Sequence, residues 1–121
     1  MTVPIKIHHL FSNLPSARKK EVFRTLHRTR EVRIERIVSR GQSTPRGRWL
    51  CEPASEWVMV LEGRARLAFR GKRGTADLKA GDYVFIPART AHRVEWTPGN
   101  RRTVWLAFHI CERGGRGKDG T

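Results

Sequence analysis

Two side chains that can exchange a proton or bind a metal ion, Glu56 and His92, begin apolar segments of this 121-residue chain. In EWVMVL, Glu56 shares its alternating register with Val58. In HRVEW, His92 shares its register with Val94 and Trp96. A polar group on the apolar face of a strand is costly unless it is paired or ligated. Glu56 and His92 are therefore candidates for an acid–base pair, for metal ligands, or for a buried pair that only contact each other.

The segments that must position these residues are short and rich in β-branched and aromatic residues. Glycine, proline and asparagine separate them at regular intervals, which is typical of an antiparallel sandwich or barrel. We expect this all-β barrel over residues 32–111. On the last segment, TVWLAFHI, His109 shares a register with Trp105 and reaches the same pocket if that face points inward.

The N-terminal part has a different pattern, and we expect residues 1–31 to form a strand and helix extension packed on the barrel. Residues 3–11 are interpreted as a short strand. A proline-containing helix start is followed by apolar residues at 22, 23 and 26, which predicts a short amphipathic helix over residues 17–28. The polar, basic and glycine-rich residues 112–121 are predicted to be a disordered tail.

Gly81, Pro87 and His92, and ahead of them Glu56 and Gly63, form two motifs with fixed spacing. Taken together, these motifs resemble those of the cupin superfamily, in particular of its small stand-alone bacterial members. Gly81, Pro87 and His92 match a motif in which glycine, proline and histidine follow one another at fixed spacing. Glu56 and Gly63 match the end of the family's first motif, a glutamate followed by a glycine seven residues later. The resemblance covers roughly residues 34–110. It implies an antiparallel double-stranded β-helix, the cupin jelly-roll barrel, here with a short N-terminal helix.

Metal-binding cupins carry His-x-His shortly before the glutamate, and this chain departs from that pattern. One spacing places Leu50 and Glu52 at the histidine positions, and the other places Trp49 and Cys51 there. The resemblance thus leaves the reduced candidate ligand set Glu56, His92, Glu52 and Cys51. Carboxylate and imidazole ligands would suit Zn, Mn or Fe, and a thiolate would favour Zn or Cu. A divalent metal is therefore one expected cofactor, and a direct pair without metal is the alternative.

Further residues near the motifs could complete a pocket for a small ligand. Arg48 or Arg89 could hold an anionic group. Tyr83, Phe85 and Trp96 could supply apolar walls or a rim. We therefore expect a pocket around the glutamate and histidine of the two motifs that takes a small molecule, an anionic one being one of the options.

The charge of the chain is strongly positive, with 25 basic and 11 acidic residues giving +14. The segment 112–121 contributes only +1, so the folded part carries the excess. Such a charge favours anionic partners, including nucleic acid, or forms a solvated arginine-rich surface. The two cysteines, the absence of an apolar run of about 18 residues and a start that lacks a secretory pattern favour a cytoplasmic protein without a membrane partner.

Three functions remain open at this point. The first is a binding protein for a small molecule, and the second is a metal-dependent isomerase, lyase or dioxygenase of the cupin type. The third is nucleic-acid binding through the basic surface, which no recognition motif supports. The resemblance also implies a homodimer to which the N-terminal segment contributes.

Overall fold

The computed structural model describes residues 2–71 and 74–112, and within these ranges all regular structure is β-strand. In chain order the strands are β1 Val22–Arg28, β2 Val32–Ser39, β3 Ser55–Glu62, β4 Arg64–Phe69, β5 Gly74–Lys79, β6 Tyr83–Ile86, β7 His92–Trp96 and β8 Thr103–Ile110. The described part of the chain contains no helix of the length and apolarity that a membrane span requires. The predicted all-β class is thus confirmed.

The strands form two antiparallel sheets that enclose one core. The larger sheet has the order β1-β2-β8-β3-β6, and the smaller has the order β5-β4-β7. Both sheets direct apolar side chains between them, as expected for alternating strands with one buried face. The buried cluster consists of Ile37, Val58, Val60, Ala65, Leu67, Leu78, Ile86, Trp105 and Ala107.

The register of the larger sheet decides which side chains meet inside. Glu56 on β3 is paired with Ile86 on β6 and with His109 on β8, and His109 is paired in turn with Arg33 on β2. Directly opposite residues in a sheet project to the same face. A polar row therefore crosses the sheet at one end of the interior, and the apolar core occupies the other end.

The predicted helix over residues 17–28 is wrong, because Val22–Arg28 form the edge strand β1, paired antiparallel with β2. A spacing of four residues, as between Val22 and Leu26, places side chains on one face of a strand as well as of a helix. The pattern that suggested a helix was therefore ambiguous. The open edge of β2 offers a hydrogen-bonding partner, and tertiary context decides in favour of the strand.

The residues before β1 also differ from the prediction. No strand forms over residues 3–11, where a turn spans residues 10–13. Val3, Ile5 and Ile7 are 80%, 95% and 96% exposed, so this segment extends away from the core. The large sheet itself begins at β1, inside the predicted extension. Most of the predicted tail, residues 113–121, lies outside the described residues.

The two motif glycines lie in turns, as predicted. Gly63 connects β3 to β4 with φ of +90°, and Gly81 connects β5 to β6 with φ of +95°. Glycine adopts this left-handed region without the steric cost that a Cβ atom brings. A Cβ on Gly63 would also lie 2.5 Å from the carbonyl oxygen of Arg102, whereas a Cβ on Gly81 would meet nothing within 4 Å.

Candidate functional site

A cavity of about 530 Å³ lies between the two sheets and opens to solvent beside exposed Pro45 and half-exposed Leu50. Its apolar wall comes from the core, including Ile37, Val58 and Trp105. The ionisable side chains that line it are Glu21, Arg33, Glu35, Glu52, Glu56, His92 and His109. Such a combination of apolar wall and convergent polar groups is typical of small-molecule sites.

Glu56 and His92 lie together in this cavity, as their registers predicted. The Nε2 atom of His92 is 3.7 Å from Oε1 of Glu56, and the two side chains are 7% and 17% exposed. That distance is beyond a direct hydrogen bond. Glu56 is the second residue of β3 and His92 is the first of β7, so the two sheets each contribute one member. Their functional role stays a prediction.

The backbone fixes the orientation of the His92 ring. The Nδ1 atom lies 2.8 Å from the carbonyl oxygen of Thr90, and a carbonyl only accepts, so Nδ1 carries the proton. The backbone N–H and C=O of His92 also pair with Leu50, at 2.9 and 2.7 Å. In the neutral ring the lone pair of Nε2 is therefore directed toward Glu56, where it can accept a proton or a hydrogen bond.

Opposing influences act on the protonation of His92. Burial lowers its pKa, but the Glu56 carboxylate, the Thr90 carbonyl and the charge of Glu52 together raise the pKa above its usual value. The protonated ring is thus stabilised next to Glu56. The pair is suited to hold a proton at Nε2 and to release it to a bound molecule.

A second carboxylate–imidazole pair involves Glu35, a residue that sequence analysis missed. The Nε2–H of His109 donates to Oε2 of Glu35 at 2.7 Å, and Nη2 of Arg33 lies 3.8 Å from the same oxygen. Glu35 is 6% exposed. Burial would raise the pKa of Glu35, but the hydrogen bond with His109 and the charges of His109, Arg33 and Arg28 lower it. The register of Glu35 with buried Ile37 on β2 was the available signal.

A third polar chain includes Glu21, which lies just before β1. The hydroxyl of Ser39 donates to a carboxylate oxygen of Glu21, and Nε1–H of Trp105 donates to Ser39 Oγ at 3.1 Å. Burial raises the pKa of Glu21, while the Ser39 bond opposes the rise and the Glu35 charge adds to it. Glu21 was also missed, because it lay in the segment predicted as a helix.

The remaining candidate metal ligands are not assembled around Glu56 and His92. The side chain of Glu52 is 49% exposed and its Oε1 lies 4.0 Å from Nδ1 of His109. Cys51 is exposed and does not line the cavity. Among residues 2–71 and 74–112, no group of three or more His, Cys, Asp or Glu side chains could hold a metal ion. The residues present thus do not fit the predicted Zn, Mn or Fe.

The five predicted ligand-binding residues lie outside the cavity lining. Tyr83 and Phe85 are 62% and 52% exposed, because they pair with Met59 and Trp57 on the outer face of the large sheet. These aromatic residues, predicted as walls or rim, are not part of the cavity wall, because β6 presents its alternate residues, such as Ile86, to the interior. The outer aromatic face consists of Trp57, Tyr83, Phe85 and Phe108. The ring centroid of Trp57 lies 5.1 Å from that of Tyr83 and 5.4 Å from that of Phe108.

Trp96 and the two predicted arginines also lie outside the cavity lining. Trp96 pairs with Arg66 while Val94 pairs with Leu67, so a β-bulge shifts the register between them. Trp96 is consequently 42% exposed, with the Arg66 guanidinium 5.9 Å from its ring centroid. Arg48 and Arg89 are exposed in loops, and neither lines the cavity. The anionic group that they were predicted to hold therefore has no support from these two side chains.

Comparison with known proteins adds family information to this geometry. A family model described as "Cupin domain" matches residues 37–109. A Ralstonia eutropha JMP134 protein named as a proposed mannose-6-phosphate isomerase is 39% identical, with a TM-score of 0.84 over 89% of this chain and 100% of its own. Among curated proteins, none matches the chain.

More distant structures share the fold. An RmlC-like cupin family protein with a double-stranded β-helix fold from Methanocaldococcus jannaschii is 16% identical, with a TM-score of 0.69 over 91% of this chain and 94% of its own. A polyketide cyclase from Streptomyces resistomycificus is 21% identical, with a TM-score of 0.70 over 92% of this chain and 82% of its own. At these identities the similarity concerns the fold alone.

Proposed function

The chain belongs to the cupin domain family, and we propose that it binds a small molecule in the cavity between its sheets through Glu56 and His92. The observation that carries this proposal is the His92 ring. The residue is 6% exposed, and its Nδ1 atom is held by the carbonyl oxygen of Thr90. Its Nε2 atom points into the cavity, and Glu56 is too far away, at 3.7 Å, to hydrogen-bond to it directly. A ligand that reaches both side chains would complete this unsatisfied contact.

The size of the cavity supports a ligand of metabolite dimensions, since such sites typically measure about 300–1,000 Å³. The apolar wall around Ile37 and Trp105 would exclude water, and the polar row at the other end would orient the ligand. We also propose a cytoplasmic location, which is supported by the free, exposed thiols of Cys51 and Cys111.

A screen of soluble metabolites by thermal shift, followed by calorimetry, would test this function. Compounds that bind the native protein should lose about tenfold or more in affinity with His92→Asn and with Glu56→Gln, since each variant removes a buried polar partner. Glu95→Gln is the matched control, because Glu95 is exposed on the same strand as His92 and does not line the cavity. Unchanged affinity in both site variants would place binding elsewhere and refute the proposal.

A second candidate, favoured by the paired Nε2 and carboxylate, is a proton-transfer enzyme that works without metal. His92 would remove a proton from the bound molecule, and Glu56 would stabilise the resulting imidazolium. Any compound found in the screen can be incubated with the protein in D₂O and followed by proton NMR. Catalysed exchange of a carbon-bound proton that is lost in His92→Asn would support the enzyme, whereas binding without exchange would support the binding protein.

A further inference from the structure

The charge of the cavity is opposite to the charge of the protein. Four glutamates line it, namely Glu21, Glu35, Glu52 and Glu56, whereas among the lysines and arginines of residues 2–71 and 74–112 only Arg33 does. With both lining histidines neutral the wall carries three net negative charges, and with both protonated it carries one. A chain of +14 therefore encloses a cavity that is acidic.

Arg33 does not reverse this balance. Its Nη2 lies 3.8 Å from Oε2 of Glu35, so the nearest carboxylate counterbalances its charge. Burial raises the pKa of Glu21, so protonation of that carboxyl removes at most one negative charge. With Glu21 uncharged and both lining histidines neutral, Glu35, Glu52 and Glu56 still outnumber the single guanidinium by two. An incoming phosphate or carboxylate would meet this excess of like charge, and a cation would be attracted by it.

Glu52 and Glu56 mark the place where a cation would bind. Both carboxylates line the cavity beside His109: Glu56 is its cross-strand neighbour on β3, and Oε1 of Glu52 lies 4.0 Å from its Nδ1. Glu52 is half-exposed, and its nearest ion-pair partner is 4.0 Å away at His109. Glu56 is 3.7 Å from His92 Nε2. A protonated amine between them would donate charge-assisted hydrogen bonds to both carboxylates, and would replace the proton of His92 as their counter-ion.

We propose that the cavity selects a small polar molecule carrying a protonated amine, bound between Glu52 and Glu56, and that it disfavours phosphorylated or carboxylated molecules of the same size. This inference rests on the proposed function, because it names the ligand class of the same cavity. It differs from the phosphorylated substrate in the name of the Ralstonia eutropha protein, and from the anionic ligand predicted with Arg48 and Arg89.

Three nitroxide probes of equal size test the inference without knowledge of the ligand. Aminomethyl-proxyl is cationic, carbamoyl-proxyl is neutral and carboxy-proxyl is anionic. Paramagnetic relaxation of the methyl protons of Ile37, Val58 and Leu67, which line the cavity, reports how strongly each probe accumulates there. Methyl protons of exposed Val3, Ile5 and Ile7 report on the outside of the molecule.

We expect the cationic probe to relax the cavity methyl protons at least about threefold more than the anionic probe. The single positive charge of the cationic probe is attracted by several carboxylates, and the negative charge of the anionic probe is repelled by them. On the exposed methyls of this +14 chain we expect the anionic probe to dominate. Stronger relaxation of the cavity methyls by the anionic probe would overturn the inference. Failure of the neutral probe to enter the cavity would instead count against the proposed function, so the two failures are distinguishable.

Variants assign the effect to the named carboxylates. Glu52→Gln should reduce the cation-to-anion ratio in the cavity by about half, and Glu52→Gln with Glu56→Gln should bring it close to one. Glu95→Gln, outside the cavity, should leave the ratio unchanged. Because Glu52 is half-exposed, its single variant stays informative if the double variant fails to fold. If Glu52→Gln left the cation-to-anion ratio unchanged, the placement of the amine would be refuted.

Discussion

Replacement of Gly63 by alanine tests whether this motif glycine serves the fold or the site. Gly63 has φ of +90°, and a Cβ there would lie 2.5 Å from the carbonyl oxygen of Arg102 and 2.8 Å from Cα of Thr103. Both atoms belong to the backbone, and Thr103 is fully buried with its hydroxyl donating to the carbonyl of Arg64 at 2.7 Å. The start of β8 therefore cannot move away without breaking its own contacts.

The magnitude follows from two separate costs. A non-glycine residue in a sparsely populated backbone region costs about 1–3 kcal/mol. Overpacking a buried position adds about 1–3 kcal/mol. Gly63→Ala should therefore lower the free energy of unfolding by about 2–6 kcal/mol. Gly81 has nearly the same φ, +95°, and open space around its Cβ position, so Gly81→Ala should incur the first cost only.

Thermal and urea unfolding followed by tryptophan fluorescence would measure both variants. At roughly 4 °C per kcal/mol for a domain of this size, Gly63→Ala should melt about 4–12 °C below Gly81→Ala. Equal losses in the two variants would refute the steric argument and leave backbone conformation as the sole role of Gly63. Folded Gly63→Ala protein should retain ligand affinity in the cavity, since Gly63 does not line it.

Three further expectations concern pH, assembly and nucleic acid. Because the folded pKa of His92 lies above its usual 6.5, the stability it contributes is fully present below about pH 6.5 and is lost as the pH rises through the folded pKa. Unfolding titrations should show this loss in the native protein and not in Glu56→Gln. Light scattering should give twice the 14.0 kDa chain mass, because the outer aromatic face is exposed in a single chain. Phe85→Glu, on that face, should yield monomers. Trp96→Glu, on the other sheet, should leave the dimer intact. Binding to random duplex DNA should be weak and vanish near about 0.15 M salt, and tight, salt-resistant binding would contradict the interpretation of the arginines as a solvated surface.

Most of the barrel was predictable because strand alternation and turn residues are local signals. The two motif spacings placed Gly63 and Gly81 in turns, and alternation placed Glu56 and His92 on inward faces. β1 was not predictable in the same way, because a four-residue spacing satisfies a helix and a strand equally. The ambiguity is resolved only by the pairing of β1 with β2, which is a tertiary contact that the local sequence pattern does not show.

The pocket wall was less predictable than the pair at its centre. Parity fails for Trp96 because a bulge, invisible in the local sequence, shifts the register of β7 by one residue. For Tyr83 and Phe85 the aromatic character suggested a ligand wall, but their register with Met59 and Trp57 places them outside. The register of a residue in its strand therefore indicated better than its aromatic character whether its side chain faces the pocket.

The two imidazoles of the cavity are held in different ways, and this difference indicates which one meets the ligand. His109 donates Nε2–H to Glu35 at 2.7 Å, so its proton is already engaged by a buried carboxylate. His92 instead anchors Nδ1 on the Thr90 carbonyl and keeps Nε2 3.7 Å from Glu56, a gap that no direct hydrogen bond closes. Removing Glu35 would leave a buried imidazole without its partner and chiefly cost stability. Removing Glu56 would alter the charge that a bound amine meets, so the chemistry of the site is concentrated at the Glu56 and His92 end of the cavity.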